Sequence, residues 1–186
     1  MKNSNVKVPQ DRPFLTQVSD IRKRAREHIE QGAVTSSYQG DLQTNIRLLN
    51  EALATEIVCW LRYTSHFHMA EGINAEAIKE EFAEHAQEEL EHAQMIATRI
   101  KQLGGVPNMN PAGLVDRSHA EFLQGSTLQE MIREDLIAER VAIESYREMI
   151  QLFGSQDPTS RRLLEHILSK EEEHAEELAG LLQSAA

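Results

Sequence analysis

One pattern occurs twice in this 186-residue chain, a lone glutamate followed at a distance by a Glu-x-x-His pair. In the first half these residues are Glu56, Glu89 and His92; in the second they are Glu139, Glu171 and His174. The step from Glu56 to Glu139 is nearly the same as the step from Glu89 to Glu171. Side chains three apart on a helix stand one turn above each other, so each pair presents a carboxylate and an imidazole on one face. A single such pair is commonplace among 30 acidic residues, where most charge runs are solvated faces. Two pairs with matched lone glutamates are a strong constraint, because the six groups can meet only if four helices turn these faces toward one another.

Periodicity supplies those four helices. The first runs from about Leu42 to Met69, with the stripe Leu49, Leu53, Glu56, Trp60, Tyr63. The second runs from Asn74, a candidate N-cap, to Leu103, with the stripe Ile78, Phe82, His85, Glu89, His92, Ile96, Ile100. Gly104-Gly105 and Pro107 end it. The third opens on a capping box, Thr127-x-x-Glu130, and carries Leu128, Ile132, Asp135, Glu139, Ile143, Tyr146, Ile150 and Phe153. The fourth opens on Asp157-Pro158, a capping residue followed by proline at the first helical position, and carries Leu164, Ile167, Leu168, Glu171, His174, Leu178 and Leu182. In every helix the glutamates and histidines interrupt the apolar stripe. An ionised carboxylate is costly to bury without a partner, and a metal ion is such a partner.

The connections give the order of assembly. Short links between the first and second helices and between the third and fourth make two antiparallel hairpins. The second and third are separated by a crossover, Gly104 to Ser126, with no strong element of its own. Leu49 to Tyr63 aligns without gaps on Ile132 to Tyr146, pairing Glu51 with Glu134, Leu53 with Leu136, Glu56 with Glu139 and Val58 with Val141. The hairpins thus read as pseudo-twofold copies. Ahead of them lie an extended leader to Val18, a short basic helix from Asp20 to Gln31 ended by Gly32, and a polar linker to Gly40. The expected fold is all-α: an antiparallel four-helix bundle over 41–186 with one long crossover, plus a short N-terminal helix within a basic arm over 1–40.

Charge and cysteine usage narrow the classes. Residues 1–26 contain Lys2, Lys7, Arg12, Arg22, Lys23, Arg24 and Arg26 against Asp11 and Asp20, while the whole chain carries −11. An acidic body fits poorly with general nucleic-acid binding, which leaves DNA contact through residues 1–26, or a packing role for that arm, as its two readings. The single cysteine, Cys59, excludes an intrachain disulfide and a four-cysteine iron site, and reads as a small buried hydrophobe. No long apolar run and no signal-peptide pattern are present, so no membrane association and a cytoplasmic location are expected.

The expected site has Glu56 and Glu139 each on one metal, Glu89 and Glu171 bridging two, and His92 and His174 each supplying a nitrogen. Carboxylate and imidazole donors suit iron or manganese, with zinc also accommodated. Four carboxylates balance two divalent ions. Tyr63 and Tyr146 are placed to hydrogen-bond the site residues. His85 and Glu88 could pass iron onward, although a solvent-facing His85 is the default, and His66 and His68 read as exposed helix-end histidines. Asp135 reads as an acceptor near the site or a boundary residue. His28, His119 and His166 have no evident partner.

These residues resemble the ferritin-like superfamily, most closely bacterioferritins and the bacterioferritin-like, Dps-like proteins, over about Leu42 to Leu182. Leu49-Asn-Glu-Ala-Leu-x-x-Glu56 with Tyr63 is similar to the bacterioferritin first helix, and Glu89-x-x-His92-Ala93 to its second. Leu103-Gly-Gly-Val-Pro-Asn108 is similar to the run that follows, and Asp135-Leu-x-x-Glu139 and Glu171-Glu-x-His174 complete the set. The resemblance implies two iron ions per subunit at an intrasubunit ferroxidase centre, oxidation of Fe(II) by O2 or H2O2, and iron storage in a homo-oligomeric cage. Leu90 stands where bacterioferritins place the haem-ligating methionine, so no haem is expected. The chain also ends soon after His174, without the family's fifth helix, and begins with a basic segment. Both features are similar to Dps proteins and favour twelve subunits over twenty-four. Two other readings remain open: a non-storage redox enzyme of peroxidase or manganese-catalase type, and a DNA-protecting protein acting through residues 1–26.

Overall fold

The computed structural model describes residues 16–72 and 75–184 and divides after Ser37 into two compact units. In the first, α1 (Val18–Arg24) is followed by a 3-10 turn at Ile29–Gln31. The basic helix expected over Asp20–Gln31 is therefore shorter. It begins two residues earlier, within the expected leader, and breaks before His28, whose φ is +51°. A non-glycine residue in this left-handed region cannot continue an α-helix. The rest of the leader, residues 1–15, lies outside the described residues.

In the second unit, α2 (Leu42–Met69), α3 (Ala75–Gln102), α5 (Leu128–Phe153) and α6 (Pro158–Ser184) are the four long helices; α4 (Leu114–Arg117) is a single turn inside the crossover. That turn is an addition to the expected featureless loop. The helix ends follow their sequence signals. Asp41 caps α2 by accepting from the Thr44 amide at 3.2 Å. The start expected for α3 at Asn74 lies outside the described residues. Its end is a Schellman turn: the Gly104 amide donates to Lys101 O at 3.0 Å and the Gly105 amide to Ile100 O at 2.9 Å, with Gly104 at φ +79°. Thr127 accepts from the Glu130 amide at 3.2 Å, but the Glu130 carboxylate reaches the Ser126 amide at 2.8 Å, one residue before the cap. Asp157 caps α6 by accepting from the Ser160 amide at 3.0 Å.

α2 packs most extensively on α3, and α5 on α6. The crossover is pinned along α2 in order. Asn50 accepts from the Asn108 amide at 2.7 Å, Thr55 from the His119 amide at 3.0 Å, Arg62 donates to Glu121 O at 2.9 Å, and His66 meets Gln124 O at 2.7 Å. The chain is thereby carried back along the length of the bundle, and α5 starts at the end where α3 began. Contacts between α2 and α5 run from His66 with Asp135, through Tyr63 with Glu139, to Glu56 with Tyr146. α5 is thus antiparallel to α2 and parallel to α3, as the long connection requires. Tyr63, Ile78, Phe82, Met131, Ile132 and Leu178 fill one apolar layer. Leu49, Ile96, Ile100, Phe153 and Leu164 are buried toward the opposite ends of the same helices. The duplicated glutamates and histidines lie between.

Candidate metal centre

All six side chains of the duplicated pattern are buried, none more than 3% exposed. They come together as two overlapping groups: Glu56, Glu89, His92 and Glu171 in one, and Glu89, Glu139, Glu171 and His174 in the other. Within each group, one donor atom per residue lies within 4.8 Å of the others. Glu89 and Glu171 belong to both groups, and each remaining glutamate shares a group with one histidine. His92 Nδ1 is 3.1 Å from Glu56 Oε2 and 3.2 Å from Glu171 Oε1. His174 Nδ1 is 3.5 Å from Glu89 Oε1 and 3.8 Å from Glu171 Oε2.

The tyrosines brace the cluster across the bundle. Tyr63 on α2 donates to Glu139 on α5, and Tyr146 on α5 donates to Glu56 on α2. Glu88, one residue before Glu89, takes the outer nitrogen of His174 at 2.6 Å and lies 3.3 Å from Lys170. Fixing one ring nitrogen by a carboxylate orients the other toward the cluster.

The electrostatics are those of four carboxylates crowded together out of water. Burial, reinforced by the neighbouring carboxylates, pushes Glu56 and Glu171 well above the usual carboxylate range. Burial and the Glu89 charge also raise Glu139. Glu89 is held low: burial opposes its charge, but the imidazoles of His174 and His92 beside it outweigh that. Burial lowers His92. His174 rises to about 9, because its contacts with Glu89, Glu139 and Glu88 overcome burial. Five atoms of the cluster still have no hydrogen-bond partner: Glu89 Oε1, Glu139 Oε2, both carboxylate oxygens of Glu171, and His174 Nδ1. Unpaired buried acceptors are costly and uncommon. Two divalent cations would satisfy all of them and cancel four carboxylate charges, so this donor set fits iron, manganese or zinc.

Three expectations are corrected. His85 is 1% exposed rather than solvent-facing, with its ring stacked on His174 at 4.1 Å between centroids. His66 is fully buried rather than an exposed helix-end residue; of that pair, His68 alone faces solvent. Asp135 is neither a boundary residue nor in contact with the cluster. It is paired with Arg62 Nε and His66 Nδ1, both at 2.8 Å. This buried Arg62–Asp135–His66 network was missed because its members belong to two helices whose contact no single stripe reveals. It is also absent from the other half, where Ala52, Ser145 and Met149 occupy the aligned positions. Of the histidines without an evident partner, His28 lies 3.5 Å from Glu30 and His119 lies 3.6 Å from Glu51. Cys59 is buried as expected, its sulfur 3.6 Å from Arg62 Nη2.

Residues 46–186 match the family described as Ferritin-like domain. The bacterioferritin of Mycobacterium leprae is 33% identical over 141 residues, covering 75% of this chain and 84% of its own length. The DNA protection during starvation protein of Pyrococcus furiosus is 31% identical over 137 residues, 72% of this chain and 74% of its own. Among solved structures, the dodecameric, bacterioferritin-related thioferritin of Bacteroides fragilis superposes with a TM-score of 0.76 at 31% identity. That match covers 79% of this chain and 89% of the other.

Proposed function

The chain belongs to the ferritin-like family, and on that premise we propose that it takes Fe(II) as substrate at Glu56, Glu89, His92, Glu139, Glu171 and His174, oxidises it with O2 or H2O2, and stores the product in a homo-oligomeric shell. The observation that carries this reading is the pair of overlapping donor groups sharing Glu89 and Glu171. Two adjacent positions served by common carboxylates can pass two electrons together, which takes H2O2 and two protons to two waters, or O2 and two protons to H2O2. Glu56 and Glu139 serve as terminal donors, each steadied by a tyrosine from the opposite helix. His92 and His174 give one nitrogen to each position, and Glu88 holds His174 in place. The apolar layers on either side exclude bulk water from the six groups.

Glu89→Ala and Glu171→Ala test the reading. Each removes a donor common to both positions, so rapid Fe(II) oxidation followed by absorbance should be lost while the helical circular dichroism stays. Parental rates in both variants would refute the centre. A twelve-subunit shell is the favoured assembly, supported by the dodecameric B. fragilis relative. With a subunit of 21.1 kDa, twelve copies give about 250 kDa by light scattering. Retention of hundreds of irons per particle separates storage from a non-storage redox enzyme.

A further inference from the structure

Beside the six-residue cluster, α3 and α6 bring together a second set of metal-donor side chains: Glu81, His85 and Glu177, with one donor atom each and all three atoms within 4.8 Å of one another. His85 Nε2 lies 2.9 Å from Glu177 Oε2, and its Nδ1 is buried without a hydrogen-bond partner. The imidazole is clamped between rings, stacked on His174 and edge-on to Tyr63 at 5.2 Å. Glu177 is exposed and Glu81 half-buried, so the two carboxylates form the open side of the group while the imidazole is fixed at its base.

Capping a buried histidine requires one carboxylate, and Glu177 already does so. Glu81 adds a second negative charge beside the first, and neither has a Lys or Arg partner among the described residues. Like charges held this close repel unless a cation lies between them. We propose that Glu81, His85 and Glu177 form a third metal site, distinct from the six-residue cluster and separated from it by the His85–His174 stack. One imidazole and two carboxylates suit a divalent first-row ion of the Fe(II), Co(II) or Zn(II) class, which the two carboxylates neutralise. The ion takes the place of the proton shared by His85 Nε2 and Glu177 Oε2. Donor-to-metal distances of about 2.0–2.2 Å require only small rotamer changes of the two glutamates at the rim.

The inference rests on the proposed centre only for the number of ions expected there. The test is equilibrium dialysis of the metal-free protein against CoCl2, with excess Mg2+ to suppress weak carboxylate binding, counting tightly held Co(II) per subunit. Three ions are expected in the parent and two in the Glu81→Gln/Glu177→Gln variant. Both substitutions lie at the rim, and the amide that replaces the Glu177 carboxylate would still hydrogen-bond His85. His85→Phe, which keeps an aromatic ring in the stack, should also hold two. An unchanged count in Glu81→Gln/Glu177→Gln, or only two ions in the parent with both lost in Glu89→Ala/Glu171→Ala, overturns the third site. One ion in the parent, lost in Glu81→Gln/Glu177→Gln, upholds it and refutes the six-residue centre instead.

Discussion

Replacing Glu171 with leucine should make the metal-free protein more stable while abolishing its iron chemistry. Both Glu171 carboxylate oxygens are buried with no hydrogen-bond partner, and three further carboxylates surround them. Each unsatisfied buried polar group costs about 1–3 kcal/mol. Exchanging buried ionic groups for apolar ones of similar size yields about 1–4 kcal/mol. For a chain of this length about 2–4 °C of Tm accompanies each kcal/mol, so the chelator-stripped variant should melt about 2–16 °C higher. Asp135→Leu is the contrasting change. It strands Arg62, which is fully buried and bonded to Asp135 at 2.8 Å, and should lower stability by about 3–5 kcal/mol. Both variants are compared with the parent by thermal circular dichroism at pH 7 in chelator, at matched oligomeric state. If Glu171→Leu melts lower, as Asp135→Leu is expected to, the six-residue cluster is a structural network and the metal reading fails.

Four other outcomes follow from the same geometry. In the metal-free protein, His174 is raised from 6.5 to about 9, so its contribution to stability is complete below pH 6.5 and is lost as pH rises through 9. Glu56 and Glu171, raised by burial and by the charge of neighbouring carboxylates, Glu89 first, act in the same direction. The chelator-stripped Tm should therefore fall between pH 7 and pH 9.5, and a rise over that range would contradict the assignment. Because a metal must displace the His174 proton, Co(II) affinity measured by titration should strengthen over the same interval. Tyr146→Phe removes the hydroxyl that donates to Glu56 and should weaken Co(II) affinity or Fe(II) oxidation by about 10–100-fold without unfolding the protein. Asp157→Ala removes the α6 cap and the partner of Arg99 Nη2 at 2.8 Å, and should cost about 3–5 kcal/mol in urea unfolding.

The cluster could be read in the sequence because its members break apolar stripes, and a stripe records which face of a helix turns inward. Three helix ends were legible for a similar reason, since Thr127, Asp157 and Gly104 each act through local backbone chemistry. His85 shows where local patterning stops. It lies on the α3 stripe, yet its burial depends on His174 and Tyr63, which arrive from other helices. Arg62 and His66 are likewise explained by Asp135, more than 65 residues away in the chain, and by the crossover carbonyls of Glu121 and Gln124. The break at His28 depends on a left-handed backbone that a basic, amphipathic-looking run does not signal.

The crossed tyrosines carry a consequence for how such a chain could have arisen. In an isolated α2–α3 hairpin, Tyr63 would have no Glu139 to receive its proton and Glu56 no Tyr146 to supply one. Two copies of one hairpin, related by a twofold axis, would restore both bonds at once, each tyrosine serving its sister's glutamate. The present molecule has the form of that dimer written into one polypeptide. Within one polypeptide the two halves are free to differ, and the Arg62–Asp135–His66 network is a feature that a strictly symmetric pair could not confine to one copy.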